Sequence, residues 1–84
     1  MKERLSIKSD LSLIKGGEVI NIMNSFISTL NLNFVEDSCK IEKGIFVLEG
    51  DRNNLFKLKN YLNSFRVEGK EDVSPFTTED VFLE

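Results

Sequence analysis

Residues 42–51 read Glu42-Lys43-Gly44-Ile45-Phe46-Val47-Leu48-Glu49-Gly50-Asp51. A tight turn, an apolar run and a helix start follow one another in ten positions. The continuous β-favouring run Ile45–Leu48 predicts a central strand. Glu42-Lys43-Gly44 predicts a hairpin back to a strand within residues 34–41, where Glu36-Asp37-Ser38 marks a kink or turn. Asp51 is suited to N-cap a second helix. Behind it Leu55, Leu58, Leu62 and Phe65 form one stripe, flanked by Phe56 and Tyr61.

Upstream, Gly16-Gly17 punctuates the chain. Val19, Ile20, Met23, Phe26, Ile27 and Leu30 then recur at helical spacing and predict an amphipathic helix of about 13 residues. Before it, Arg4–Lys8 alternates. Leu5 and Ile7 share a face, and Leu11 and Leu13 continue the odd phase, which predicts a first strand. Downstream of the second helix, Arg66-Val67-Glu68, bounded by Gly69, is the candidate for a last strand.

The order strand, helix, strand, strand, helix, strand is the ferredoxin-like βαββαβ plan. It is an α+β two-layer sandwich with two helices on one face of an antiparallel sheet. The fourth strand is the element the pattern leaves open. Ile27, Leu30, Phe46, Leu48, Leu58 and Leu62 are expected in the core. Residues 1–73 are expected to form a single small domain, and residues 74–84 an acidic-apolar C-terminal tail.

Composition narrows the chemistry. The chain has 84 residues and a formal net charge of -3. Apolar burial contributes on the order of 125 kcal/mol, and ordering the chain at ~1.5 kcal/mol per residue costs about as much. A homodimer would add burial. There is no histidine, which removes the commonest neutral-pH general base and metal ligand. Cys39 is the only cysteine, so no intrachain disulfide or cysteine zinc cluster forms. No apolar run is long enough for a membrane span, and no signal-peptide core follows the N-terminus. A reduced, cytoplasmic setting is the simplest expectation. No cofactor is implied.

Three kinds of candidate site stand against plainer readings. Gly16 and Gly17 at a helix entrance expose amides that suit an anion, though a glycine turn explains them as well. Cys39 has no imidazole to activate it and reads as a small buried hydrophobe. The carboxylate pairs Glu36-Asp37 and Glu71-Asp72 lack other metal ligands at recognisable spacing.

The second helix carries Arg52, Lys57, Lys59 and Arg66 with no acid between them. Arg52, Lys59 and Arg66 are spaced by sevens and share one side. Net negative charge and the lack of an interleaved aromatic pair on the strands weigh against nucleic acid there. An acidic protein surface fits that stripe. Through residue 67 the chain holds ten basic and eight acidic side chains, and from residue 68 one and six. Phe76, Val81, Phe82 and Leu83 sit among those last acids, a mixture suited to contact with a partner or with the chain's own surface.

The expected function is a non-catalytic protein-interaction or regulatory module, not an enzyme. Its partner-binding residues would be Arg52, Lys59, Arg66, Phe76, Phe82 and Leu83. The alternatives are nucleic-acid binding through the basic helix, or a small-ligand sensor using the Gly16-Gly17 turn.

Overall fold

Leu5 and Ile7 stand directly opposite Leu48 and Phe46, and those four side chains floor the core. The computed structural model describes residues 3–82, with side chains through Glu79. The strands are β1 (Glu3–Ser9), β2 (Asn33–Phe34), β3 (Ile45–Gly50) and β4 (Phe76–Phe82). The helices are α1 (Gly16–Leu30) and α2 (Arg52–Ser64). Two 3-10 turns, Glu36–Ser38 and Ile41–Lys43, lie between β2 and β3.

The sheet order is β2-β3-β1-β4, antiparallel throughout. β1 and β2 therefore run the same way with β3 between them, and β3 and β4 the same way with β1 between them. The two βαβ halves interleave, as the ferredoxin-like plan requires.

Both helices cover one face. From the sheet that face presents Leu5, Ile7, Phe34, Phe46, Leu48 and Phe76. α1 adds Val19 and Met23, and α2 adds Leu55, Leu58 and Leu62. Ile27 and Leu30 were expected in the core, but they are only half-buried against it. α1 turns Val19 and Met23 inward, so its last turn lies toward the rim. The other sheet face carries Arg4, Ser6, Lys8, Ile45, Val47, Glu49, Thr77 and Glu79, following the pleat. Val47 alone of these is buried.

Helix ends are closed by local chemistry. Asp51 accepts the Asn53 N–H at 3.1 Å, as an N-cap should. Asn31 ends α1 in the left-handed region at φ 55°. The Asn54 side chain donates to the Leu30 carbonyl at 3.0 Å and ties the two helices together. Leu32 then drops into the core beside Gly50. A Cβ on Gly50 would lie 2.5 Å from Leu32 Cδ2, so a side chain there would have to displace the buried Leu32 methyl.

Two sequence expectations are corrected. Val67 makes only an isolated bridge to Lys70 across a turn with Gly69 at φ 84°. The fourth strand is Phe76–Phe82, which pairs along the whole of β1. It comes from the segment expected as a tail beyond residue 73. Pro75 precedes the strand, so its missing N–H costs the ladder nothing. Gly16 and Gly17 do not form a positive-φ turn; they are the first two residues of α1.

Candidate binding cleft

β2 is short for a reason visible in its hydrogen bonds. The Val35 N–H still donates to the Val47 carbonyl at 2.8 Å. The Val35 carbonyl, however, turns away to accept the Ser38 N–H at 2.9 Å. The Val47 N–H thereby loses its ladder acceptor. Cys39 takes that place, with its Sγ accepting the Val47 N–H at 3.4 Å. Pairing resumes at Lys40 and Ile45, which exchange bonds of 2.8 and 3.0 Å. Gly44 closes the turn at φ 74°, where a Cβ would sit 2.5 Å from the Ser9 carbonyl oxygen.

Residues 36–41 thus leave the plane of the sheet and wall off a cleft. Ile20 of α1, Phe34 of β2, Phe46 of β3, Cys39, Ile41 and Glu36 line it, around about 310 Å³. That volume sits at the lower end of the ~300–1,000 Å³ typical of ligand pockets. It suits one large apolar group. Glu36 is the sole ionised side chain of the lining. Cys39 is half-buried and hydrogen-bonded, which gives it a backbone-pairing task beyond that of a small hydrophobe.

A second, more polar hollow of about 640 Å³ opens on the other side of the Ile41–Lys43 turn. Leu11, Leu13, Val73 and Pro75 line it together with Lys8, Asp10, Glu42 and Lys43. Ser12 donates both its hydroxyl and its N–H to the Asp10 carboxylate. These bonds, the hydroxyl first, hold the Asp10 pKa below its ordinary value of 3.8. Leu11, Ile41 and Val73 are exposed. Leu11 and Val73 come from separate connections and share this hollow, where β1 ends and β4 begins, whereas Ile41 lines the first cleft.

The residues singled out from the sequence fall elsewhere. Arg52 forms a salt bridge to Glu3 at 2.6 Å. Lys59 Nζ lies 5.8 Å from the Phe56 ring centroid. Arg66 donates to the carbonyls of Asn63 and Phe65, each at 2.8 Å, and to that of Glu71 at 3.1 Å. It closes the C-terminal end of α2 and holds the following turn. Of the expected basic stripe, Arg52 thus ties α2 to β1, Lys59 lies by a ring of its own helix, and Arg66 closes the helix end. Phe76 is buried edge-on against Phe65 at 5.5 Å, so it is core and not contact surface. The Phe82 side chain and Leu83 lie outside the described residues.

Gly16 and Gly17 present their amides at the start of α1, but the first turn already carries Glu18. That carboxylate complements the helix dipole and repels a second anion. Among the described residues no group of three His, Cys, Asp or Glu side chains could hold a metal ion. None of their helices is long and apolar enough to cross a membrane. The face of the sheet away from the helices carries no aromatic side chain among the described residues.

The cleft was missed because its wall is a break in a strand, and alternation counts strand residues without showing which carbonyl turns away. Glu36-Asp37-Ser38 as a turn was the available signal. No protein-family model, curated protein or solved structure matches the chain.

Proposed function

We propose that this chain is a non-catalytic protein-interaction module that works through the loop end of its sheet. The observation that carries this reading is the meeting of Leu11 and Val73, two exposed large apolar side chains from separate connections that line one hollow. Contiguous apolar exposure rimmed by charge is the usual mark of a protein contact. Lys8, Lys43, Asp10 and Glu42 supply such a rim, with charges of both signs for orientation.

Affinity capture from native cell extract tests it. A partner should survive nuclease treatment. Capture should fall at least tenfold with the double variant Leu11→Asp, Val73→Asp and persist with Phe56→Asp, whose ring is exposed on α2. Capture abolished by nuclease, or indifferent to the double variant, would overturn the reading. Circular dichroism confirms that each variant is folded.

A further inference from the structure

We propose that an extended segment of the protein partner adds as a short strand along β2, with one apolar side chain in the cleft and a basic residue against Glu36. This inference rests on the interaction-module reading and names the chemistry of the partner.

The phase of the β2–β3 ladder supplies the first argument. Val35 donates inward to Val47, so the pair Val35–Val47 occupies a hydrogen-bonding position. In an antiparallel ladder such positions alternate. Phe34, opposite Leu48, is the non-bonding neighbour, and its N–H and C=O point out of the sheet. β2 is an edge strand, and no bond among the described residues takes those two groups. A partner residue set opposite Phe34 would exchange two hydrogen bonds with it.

The cleft supplies the second. A residue directly across from Phe34 presents its side chain on the same face as Phe34. That face is the one toward α1, and Phe34 itself lines the cleft with Ile20 and Ile41. Main-chain pairing and side-chain capture therefore meet at one position, which is how sheet-edge peptide sites combine affinity with selectivity.

Charge supplies the third. Glu36 is the one ionised group in the lining, and its neighbour Asp37 is exposed. A lysine or arginine two positions from the apolar anchor, on the same face of the added strand, complements them. The opposite edge, β4, is longer, but it carries Glu79 at mid-strand.

The test is selection of a displayed library of random seven-residue peptides on the full chain. Enriched peptides are then synthesised and titrated by fluorescence anisotropy. They should share an apolar residue with lysine or arginine two positions away, on the same face of the added strand. Glu36→Lys and Ile41→Asp, both at exposed positions, should each weaken binding tenfold or more without changing the melting midpoint. N-methylation of the anchor amide should abolish binding, and the Phe34 amide resonance should shift on titration.

Failure to enrich any peptide overturns the proposal. So do enriched peptides that bind the two variants as tightly as the parent, or that leave the Phe34 amide unmoved. If nuclease-resistant capture through Leu11 and Val73 holds while these peptide results fail, strand addition is wrong and the module reading stands. If capture itself fails, the module reading falls with it.

Discussion

At Cys39 a single side chain completes a broken β-ladder. Its sulfur accepts the Val47 N–H, and its thiol lies 3.7 Å from the Val47 carbonyl as a weak donor. Cys39→Ala leaves a part-buried N–H without an acceptor and should cost about 1–3 kcal/mol. Cys39→Ser keeps both functions on a smaller atom and should cost less. Urea melts of the two variants check this, and equal midpoints would remove the ladder role. Asp10 gives a pH prediction. Its folded-state pKa is depressed by the Ser12 bonds. Its contribution to stability is complete above the ordinary value of 3.8 and is lost as pH falls through the lower folded value. The stability gap between the parent and Asp10→Asn should therefore shrink as melts move from pH 5 to pH 2. A constant gap would contradict the assignment. Cys39 was legible only as a small buried hydrophobe, because its partner, Val47, depends on where Val35 turns its carbonyl. The Asp10–Ser12 contact spans two positions and lay within a local reading.

At the scale of elements, β4 decides how the sheet is finished. It covers the outer side of β1 from Ser9 to Glu3. Ser74 prepares its start, with its hydroxyl donating to the Leu62 carbonyl at 2.6 Å and accepting the Phe76 N–H at 3.2 Å. Phe76 then plugs the core against Phe65. Truncation after Ser74 removes this plug and exposes the flank of β1. Fully burying a phenylalanine contributes about 1.5–3 kcal/mol, and the lost ladder adds to it. The shortened chain should melt markedly earlier or fail to fold, as read by thermal circular dichroism. An unchanged melt would mean that β4 contributes nothing to the fold. The helices and the two central strands were legible from periodicity. β4 was not, since Phe76 and its acidic neighbours read as a tail that contacts a partner or the chain's own surface, and nothing local says that it pairs as a strand along β1. Arg66 shows the same limit: its spacing from Arg52 and Lys59 suggests a binding stripe, yet its guanidinium closes α2.

Across the whole molecule, stability is uneven. The core gathers on the helix-covered face of β1 and β3, whereas the 36–44 connection lies at the rim and holds its place through Cys39, Lys40 and Gly44. Local openings are expected where few apolar contacts resist them. Native-state hydrogen exchange should find the Ile7 and Leu48 amides among the slowest. The Ser38, Lys43 and Gly44 amides should exchange at least tenfold faster. Uniform protection across both sets would show that the cleft wall is as firm as the core and has no separate mode of opening. The same distribution places the candidate site on the less constrained rim, borne by a rigid sheet.

The sequence by itself determined α1, α2, β1 and β3. Each is written in neighbouring residues, as the recurrence of Leu55, Leu58 and Leu62, the alternation of Leu5 and Ile7, or the unbroken run Ile45–Leu48. Periodicity is a local property, and burial of one face follows from it. Only the tertiary structure decided the fourth strand, the engagement of the basic helix and the cleft. Phe76–Phe82 becomes a strand because β1, some seventy positions away, offers an unpaired edge. Arg52 is held by Glu3, 49 positions earlier in the chain. The cleft exists because one carbonyl turns aside and a thiol four residues later satisfies the amide it leaves, a contact set by the direction of the backbone and not by the pattern of side chains.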